Sequence, residues 1–352
     1  MTANPANTAT TTTTAAAANG AAVPETMQAV ANDRYGAPEA LAVRTMPVPT
    51  PADGEVLVAV AAAGIDRGTW HLTTGLPYAV RLAGFGLRRP KQPVAGMDLA
   101  GTVVAVGAGV TRLAPGDSVF GIGSGSWAEY ACAKAEKVVL RPSAVAAEQA
   151  AAVPVSGLTA LQAVRDAAKV QPGQRVLVLG ASGGVGSFAV QIAAHLGAAV
   201  TGLASGAKAD LVRSLGATEV IDYAREDALD GSVRYDAIID TGGRNSLRRL
   251  RRALTPKGTL VIVGGEGGNR ITGGFGRQLR APLMSLFVSQ RLIPLMSKES
   301  GADLEVLAGL LAGGHLQAAV DRVVPLDQAP GALADLAAGR VRGKAVVQVA
   351  TR

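Results

Sequence analysis

The chain has 352 residues, of which 48% are hydrophobic, 17% charged and 3% aromatic. This length predicts two domains, and the apolar fraction is large enough for packed cores, which excludes a globally disordered chain. A single cysteine, Cys132, excludes a disulfide framework and any zinc site built from several thiolates. The formal net charge of +7 is compatible with an anionic ligand, but the basic residues are scattered, so no nucleic-acid partner is expected.

The first 24 residues are rich in Ala, Thr and Asn and predict a disordered tail, because they carry too few large apolar side chains to offset their chain entropy. They lack the early positive charges of a secretory signal, and the first arginine is Arg34, which argues against a transit peptide. No run of about eighteen apolar residues predicts a membrane span. We therefore expect a cytoplasmic protein with no membrane association.

The pattern that follows is typical of strands and turns. Residues 55–61 alternate between apolar and other side chains, and residues 100–106 are rich in β-branched residues. Pro115, Gly116 and Asp117 form a turn signal before another short strand at 118–120. These features predict a β-rich domain.

The pattern changes near Glu148. Helical spacing over 156–169, with Ser156 as N-cap, is followed by apolar strands that alternate with helices. The predicted strands are 176–179, 199–203, 219–222, 235–240 and 258–263, and the predicted helices are 185–196 (ended by Gly197), 205–215 and 246–254. Such alternation indicates an α/β fold with a doubly wound parallel sheet of the Rossmann type.

Two further strands are predicted in the tail, at 320–325 and 344–349. We expect them to return to the first domain. The predicted organisation is a disordered tail (1–24), a β-rich domain (25–146 with 315–352) and a dinucleotide-binding domain (147–314), with a cleft between the two domains.

A glycine-rich turn follows the strand at 176–179. Gly180, Gly183 and Gly186 come after a strand and open a helix, which is the context that a dinucleotide-binding turn requires. The free N–H groups and positive dipole end of that helix favour a diphosphate. The alternative is a tight strand–helix turn with no ligand.

The residues after the second strand favour NADPH over NADH. An NAD site usually places Asp or Glu about twenty residues after the turn, and this chain has none there. It has Ser205, then Lys208 in the first turn of a helix, where a cation opposes the helix dipole unless an anion such as the 2′-phosphate lies nearby. A solvated surface lysine is the alternative interpretation.

Several ordered motifs resemble the medium-chain dehydrogenase/reductase superfamily. They are GASGGVG (180–186), PVSGLTAL (154–161), APGDSVFG (114–121) and SWAEY (126–130). The chain is most similar to the zinc-free quinone oxidoreductase branch, which includes ζ-crystallin-like and reticulon-4-interacting-protein-like reductases. This resemblance implies a GroES-like β-rich domain, a homodimer and a small-molecule carbonyl or quinone substrate.

The zinc ligands of the superfamily are missing from the matching positions. Asp66 stands where catalytic-zinc members have Cys, Met97 where they have His, and Val155 and Ser156 at the third ligand. The structural-zinc lobe is also absent from the sequence. One carboxylate beside a methionine is not a zinc site, so we expect no metal ligands.

The resemblance also implies which residues bind the cofactor. Ser182 to Gly186 would hold the diphosphate, Ser205 and Lys208 the 2′-phosphate, and Tyr223 the adenosine. Thr159 would lie at the nicotinamide side. Beyond the carboxyl ends of the next two strands, the remaining groove residues would be Thr241, Gly242, Val263, Gly264 and Gly265. Within 182–186 the implied residues are Ser182, Gly183, Gly184, Val185 and Gly186.

The catalytic residues are less well defined by sequence. This chain has Asp66-Arg67-Gly68-Thr69 where the branch commonly has an Asn-Pro-x-Asp-like stretch, and an ionised Asp66 accepts hydrogen bonds but cannot donate them. Thr69, Trp70 and Tyr78 remain as candidate donors. The structural alternatives are a turn or surface role for Asp66 and core packing for Trp70. The segments 78–90 and 277–294 are candidate cleft walls, the latter alternatively core or dimer surface.

These observations predict an NADPH-dependent, zinc-independent oxidoreductase that transfers a hydride to a quinone or an α,β-unsaturated carbonyl. One alternative is a zinc-type alcohol dehydrogenase acting on alcohols or aldehydes, against which the missing ligands argue. The other is a non-catalytic NADPH-binding protein, either a redox sensor or an RNA-binding relative. The arginine cluster at 244–252 more simply indicates a solvated helix face than a nucleic-acid site.

Overall fold

The computed structural model describes residues 23–265 and 270–349. The predicted disordered tail therefore lies almost wholly outside the described residues. None of the described helices is long and apolar enough to cross a lipid bilayer.

The first half of the chain forms antiparallel strands. A two-stranded sheet pairs β1 (Thr26–Ala31) with β2 (Ala42–Pro47). The larger sheet contains β3 (Glu55–Ile65), β4 (Asp98–Val106), β5 (Ser118–Ile122), β6 (Tyr130–Lys134) and β7 (Val138–Leu140). Helix α1 (Arg67–Thr74) follows β3 directly, and helix α2 (Tyr78–Val80) continues into a π-helix at Arg81–Phe85.

The second half forms the parallel sheet. Its strands are β8 (Arg175–Leu179), β9 (Ala199–Ala204), β10 (Glu219–Asp222), β11 (Tyr235–Asp240), β12 (Leu254–Ile262) and β13 (Arg291–Pro294). The spatial order is β10-β9-β8-β11-β12-β13, and every pairing in it is parallel. This topology confirms the predicted doubly wound α/β fold.

Helices surround this parallel sheet and connect it to the rest of the chain. They are α3 (Ala147–Ala151), α4 (Pro154–Leu161), α5 (Gly184–His195), α6 (Ala209–Ser214), α7 (Leu247–Arg252), α8 (Phe275–Ser285), α9 (Gly301–Ala312) and α10 (Ala329–Ala337). Because helices cover both faces, Val176 to Leu179 are all buried, which explains why this strand is continuously apolar.

The tail strands join the first sheet, as expected from their pattern. β14 (Val320–Pro325) pairs with β15 (Lys344–Gln348), and β15 pairs with β3 in an antiparallel register that brings Ala345 opposite Ile65. The larger sheet therefore has the order β14-β15-β3-β4-β5-β7, with β6 paired to β3. The exact domain boundaries stay a prediction.

The prediction that Ser156 caps a helix over 156–169 was wrong. Helix α4 begins at Pro154, whose missing N–H costs nothing in the first turn, so Ser156 lies inside the helix. Its hydroxyl accepts a hydrogen bond from Lys344 Nζ at 3.2 Å. After Leu161 the helix widens into a π-helix over Gln162–Ala168, and Lys169 ends it in the left-handed conformation with φ of 55°.

The helix after β9 also differs from its prediction. The residues predicted as one helix form a 3₁₀ turn at Gly206–Lys208 followed by α6. The helix after β8 agrees within one residue, and Gly197, with φ of 81°, closes it as predicted.

Candidate functional site

The glycine-rich turn joins β8 to α5 in a very small space. Gly180 has φ of 76°, and the Gly183 N–H donates to the Gly180 carbonyl at 3.0 Å. A Cβ on Gly186 would lie 2.1 Å from that same carbonyl oxygen, so residue 186 must be glycine for the helix to pack on the strand. The first N–H groups of α5 are thereby presented at the end of the parallel sheet.

A cavity of about 650 Å³ lies at the carboxyl ends of the parallel strands. It extends from the glycine-rich turn past the ends of β9, β10 and β11, which is where a doubly wound sheet binds its ligands. The residues predicted to bind cofactor that line this cavity are Ser182, Ser205, Lys208, Tyr223 and Gly242. We refer to it below as the dinucleotide cavity.

Other predicted cofactor residues lie near this edge but do not line the dinucleotide cavity. Val263, Gly264 and Gly265 follow β12, and the N–H groups of Val263 and Gly264 donate to the Asp240 carbonyl. The Thr241 hydroxyl donates to the Leu179 carbonyl at 2.6 Å and so joins the ends of β8 and β11. Gly183 to Gly186 form the turn and the first residues of α5.

Thr159 is engaged within its own helix. Its hydroxyl donates to the Val155 carbonyl at 2.7 Å, and the residue is 9% exposed. The structure therefore gives Thr159 a helical contact and does not bring it to the dinucleotide cavity.

Lys208 connects the second strand of the parallel sheet to the tail. Its Nζ donates to the carbonyls of Val341 at 2.8 Å and Gly339 at 3.1 Å, just before β15. Burial, and secondarily the nearby Arg342, lower its pKa from the ordinary value. An ammonium group has three N–H donors, so one remains after these two bonds.

The lining of the dinucleotide cavity is rich in positive charge. Five basic side chains line it, against three carboxylates. Two of the carboxylates are paired, Asp227 with Arg249 at 2.6 Å and Asp240 with Arg277 at 2.8 Å. The five basic residues are Arg67, Lys208, Arg225, Arg244 and Arg249. This excess of cations favours an anionic ligand.

Arg67 reaches the dinucleotide cavity from the other half of the molecule. It is the first residue of α1, and among the described lining residues it alone precedes β8 in the chain. Its guanidinium lies 5.1 Å from the centre of the Trp70 ring. The antiparallel half therefore contributes one cation to the lining of the dinucleotide cavity.

Asp240 and Arg277 hold the loops at the ends of β11 and β12. Asp240 is fully buried and accepts hydrogen bonds from the Gly243 N–H and from Arg277. Arg277 also donates to the carbonyls of Asn245 and Gly264. One guanidinium therefore fixes both loops at the cavity edge.

A second buried ion pair lies within the larger antiparallel sheet and contacts helix α4. Lys344 Nζ, on β15, lies 3.4 Å from Asp98 Oδ2 on β4 and 3.2 Å from the Ser156 hydroxyl on α4. The Val155 N–H donates to the other Asp98 oxygen at 2.9 Å. Burial raises the pKa of Asp98 from 3.8 to about 7, against the opposing effect of Lys344.

The same ion pair lies against the glycine-rich turn. A Cβ on Gly184 would lie 3.2 Å from both the Lys344 Cδ and the Ser156 hydroxyl oxygen. The Gly343 N–H donates to the Ser182 carbonyl at 2.8 Å. The start of α5 is therefore held by the strand that belongs to the other sheet.

Asp66 caps helix α1. Its Oδ1 accepts the Thr69 N–H at 2.7 Å, and its Oδ2 lies 3.4 Å from the Thr69 hydroxyl. The side chain is 4% exposed, and its charge raises the pKa of the nearby Asp98. The cap gives Asp66 a structural role of the kind that a turn acid has.

The other candidate donors occupy different places. Thr69 is 1% exposed and lines a second cavity of about 290 Å³. Trp70 packs at the edge of the antiparallel core, and Tyr78 is 40% exposed with Arg81 over its ring. The Tyr78 N–H donates to the Arg270 carbonyl, which links α2 to the chain after β12.

The residues at the family's zinc positions do not fit a zinc ion. Asp66 is engaged as a helix cap, and the neighbouring sulfur is the Met97 thioether, a poor zinc ligand. In the described part of the chain, no group of three or more His, Cys, Asp and Glu side chains could hold a metal ion.

Comparisons with known proteins agree with this architecture. The family model described as an alcohol dehydrogenase GroES-like domain matches residues 52–143, and the one described as a zinc-binding dehydrogenase matches residues 215–347. A chloroplastic quinone oxidoreductase from Triphysaria versicolor is 32% identical over 92% of this chain and 98% of its own length. The chain belongs to the quinone oxidoreductases of the medium-chain dehydrogenase/reductase superfamily. It is therefore an oxidoreductase enzyme.

Two solved quinone oxidoreductase structures are similar to this chain over more than nine-tenths of its length. The quinone oxidoreductase from Coxiella burnetii has a TM-score of 0.81 and 28% identity, with 92% of this chain and 100% of that chain covered. The Escherichia coli quinone oxidoreductase, solved with NADPH, has a TM-score of 0.77 and 25% identity over 91% of this chain and 99% of that chain.

Sequence reasoning missed Arg67, Arg277 and Lys344 as residues that shape the site. Asp240 carried a usable signal, since it is an acid at the carboxyl end of a strand, directly after three apolar residues. Asp98 follows Met97, the residue at the position of the missing histidine ligand, and no local feature of the sequence marks it as part of an ion pair. Lys344 had no local signal, because its partner is 246 positions away in sequence.

The buried pair predicts a pH-dependent effect of K344M. Removing the cation raises the pKa of Asp98 further, so the buried carboxyl must stay protonated. A buried carboxyl with a raised pKa makes the folded protein less stable as the pH rises toward that pKa. The loss of Tm in K344M relative to wild type should therefore be larger at pH 9 than at pH 6. At pH 9 it should approach the cost of about 3–5 kcal/mol typical of a broken buried pair.

Thermal unfolding of wild type, K344M and the exposed-lysine control K257M at the two pH values measures this effect. A Tm difference between wild type and K344M that is the same at pH 6 and pH 9 would contradict the assignment.

The cap at Asp66 predicts that D66A and D66N differ in stability. Asn caps a helix about as well as Asp, whereas loss of the cap in D66A should cost about 1 kcal/mol. D66N also removes the repulsion between Asp66 and Asp98. Chemical denaturation should therefore place D66N near wild type and D66A below it, and equal losses in both variants would show that the charge matters more than the cap.

Proposed function

We propose that this enzyme is an NADPH-dependent, zinc-independent reductase that transfers a hydride to a quinone or an α,β-unsaturated carbonyl. The observation that carries the proposal is the cation-rich dinucleotide cavity beside the glycine-rich turn. The relative from Escherichia coli, solved with NADPH, supports the choice of cofactor.

The diphosphate would lie at the N-terminus of α5, against Ser182 to Gly186. Free backbone N–H groups and the positive end of the helix dipole favour an anion there. Arg67, on the opposite wall of the dinucleotide cavity, adds a positive charge from the antiparallel half. Its guanidinium geometry suits phosphate oxygens.

The 2′-phosphate would be bound by Ser205 and Lys208. Both residues line the cavity at the end of β9, where an NAD-specific site would have a carboxylate. Two N–H donors of Lys208 are bonded to tail carbonyls, which leaves the third for a phosphate oxygen. Tyr223, 63% exposed on the same cavity, would pack against the adenosine.

When bound, NADPH supplies a hydride, that is, two electrons and one hydrogen nucleus. A quinone that accepts the hydride and a proton becomes a hydroquinone; an enone accepts the hydride at its β-carbon and becomes a saturated carbonyl after protonation at the α-carbon. Negative charge develops on the acceptor oxygen and must meet a hydrogen-bond donor.

Thr69 is the side chain that we assign to that oxygen. The hydroxyl lies 3.4 Å from Asp66, a long hydrogen bond that is easily exchanged for one to a carbonyl oxygen. Trp70 and Tyr78 stay as further candidate donors at the cleft. Conjugated acceptors need less electrophilic assistance than simple ketones. This is consistent with a site whose side chains do not suit a zinc ion.

Partners and location stay predictions. A homodimer is consistent with the exposed apolar side chains Leu283 and Phe287, on and just after α8, beside the edge strand β13. A cytoplasmic location, a small-molecule substrate and the absence of nucleic-acid and membrane partners are retained from the sequence.

The proposal predicts NADPH oxidation that resists chelators. Purified enzyme should consume NADPH with 9,10-phenanthrenequinone or 2-cyclohexen-1-one as acceptor, at the same rate with and without EDTA and 1,10-phenanthroline. K208M should weaken NADPH binding about tenfold through loss of one charge-assisted contact and leave NADH binding unchanged. K257M serves as the control.

Three outcomes would contradict parts of this proposal. NADPH binding without oxidation by any acceptor would favour a non-catalytic protein. Loss of activity with chelators, restored by zinc, would favour the zinc-type alternative. Equal effects of K208M on NADPH and NADH would remove Lys208 from the 2′-phosphate site.

A further inference from the structure

Two loops meet at the carboxyl edge of the parallel sheet, beside the glycine-rich turn. One spans residues 241–246 between β11 and α7, and the other comprises residues 263–265, directly after β12. A Cβ on Gly264 would lie 2.1 Å from the Thr241 carbonyl oxygen, so the backbones of the two loops are in direct contact. We refer to these two loops together as the groove edge.

The groove edge lies across β8 from the proposed 2′-phosphate site. Ser205 and Lys208 follow β9, whereas the groove edge follows β11 and β12, which are on the other side of β8 in the sheet. A dinucleotide whose diphosphate lies at the turn after β8, and whose 2′-phosphate lies beyond β9, extends its nicotinamide half toward β11 and β12. The groove edge is therefore the wall that the nicotinamide half would meet.

Arg277, in the first turn of α8, binds both loops of the groove edge with one guanidinium. Nη1 donates to Asp240 Oδ2 at 2.8 Å and to the Asn245 carbonyl at 2.6 Å. Nη2 donates to the Gly264 carbonyl at 3.1 Å. A planar guanidinium can bind several acceptors at fixed angles, which a lysine ammonium group does less well.

Asp240 binds the same two loops from the end of β11. Its Oδ1 accepts the Gly243 N–H at 3.0 Å, and its main-chain carbonyl accepts the N–H groups of Val263 and Gly264 at 3.0 and 3.1 Å. Because Asp240 is fully buried, its carboxylate depends on the Arg277 cation for compensation. The ion pair thus connects the sheet, α8 and the groove edge.

We propose that Arg277 is a positioning residue for the nicotinamide half of NADPH. It acts through the groove edge, by holding residues 263–265 against residues 241–246, and it does not itself contact the cofactor. Because hydride transfer is sensitive to displacements of about 1 Å, a looser groove edge lowers the rate as well as the affinity. This inference rests on the NADPH-dependent function proposed above.

The main test is R277M, which removes the bridge between the loops and keeps an unbranched apolar side chain. The Kd for NADPH should rise about tenfold, and kcat with 9,10-phenanthrenequinone at saturating NADPH should fall at least about tenfold. The Kd for adenosine 2′,5′-bisphosphate, which has no nicotinamide half, should change at most about threefold, because the contacts beyond β9 are unaltered.

Arg280 provides a matched control on the same helix. It lies three residues after Arg277 and is exposed, so R280M should match wild type in both Kd values and in kcat. K208M should show the opposite pattern to R277M, because loss of a 2′-phosphate contact weakens NADPH and adenosine 2′,5′-bisphosphate alike.

Two further variants separate positioning from the loss of a buried cation. R277M leaves the buried Asp240 carboxylate without its partner, a change that destabilises folded proteins. R277K keeps a cation for Asp240 but not the planar fork, so it should recover Tm while its Kd for NADPH stays at least about threefold above wild type. D240N/R277M removes both charges, so its Tm should exceed that of R277M, with a Kd for NADPH still about tenfold weaker than wild type.

The outcomes distinguish this inference from the proposed function. If R277M and D240N/R277M bind both ligands as wild type does, or lose affinity for both by the same factor, the positioning role is wrong. Full recovery of NADPH affinity and kcat in D240N/R277M would show that Arg277 only neutralises Asp240, which also contradicts the assignment. If wild type binds neither ligand, the NADPH site itself is wrong and the inference fails with it. If wild type binds NADPH but reduces no acceptor, the reductase function is wrong, and the two Kd values still test Arg277.

Discussion

The buried ion pair between Lys344 and Asp98 lies in the antiparallel sheet and contacts helix α4 and the glycine-rich turn of the other half. Lys344 comes from β15, Asp98 from β4 and the shared Ser156 from α4, so three segments distant in sequence meet at one ammonium group. The Cδ of Lys344 would lie 3.2 Å from a Cβ added to Gly184, at the start of α5. Because a charge in this environment is costly without its partner, the pair constrains how β15 and the start of α5 lie relative to each other.

The segment before β15 also makes contacts with two residues that line the dinucleotide cavity. The carbonyl of Ser182, in the glycine-rich turn, is bonded to the Gly343 N–H beside Lys344, and Lys208 reaches the carbonyls of Gly339 and Val341. Helix α1 contributes Arg67 to the lining of the dinucleotide cavity and Thr69 to the lining of the second cavity. Asp66 caps α1 at the position where the zinc-binding members of the superfamily have a metal ligand.

Much of the fold could be predicted from sequence because its signals are local. The apolar run at 176–179, the glycines at 180, 183 and 186, and the tail strand at 344–349 each depend on neighbouring residues, and the structure has a strand or turn at each. Ser156 was misassigned because a serine before an apolar run resembles an N-cap. In the structure Pro154 starts the helix, and the Ser156 hydroxyl accepts a hydrogen bond from Lys344.

The contacts that shape the site are mostly not local, which is why the sequence did not reveal them. Asp240 pairs with Arg277 and Asp98 with Lys344 across the fold, and no periodicity marks such partners. Arg67 was interpreted only as a neighbour of Asp66, since its position on the wall of the dinucleotide cavity depends on how the two halves meet.

The glycine-rich turn is the proposed binding site for the diphosphate of NADPH, and titration of G183A with NADPH tests this assignment. Gly183 has φ of −90°, and an added Cβ would meet only the Gly180 carbonyl oxygen at 3.3 Å, so the fold accommodates alanine. G309A is the control, since an added Cβ there meets nothing within 4 Å. NADPH fluorescence titration should give a Kd at least about tenfold weaker for G183A, with G309A equal to wild type. An unchanged Kd in folded G183A would show that the diphosphate is bound elsewhere.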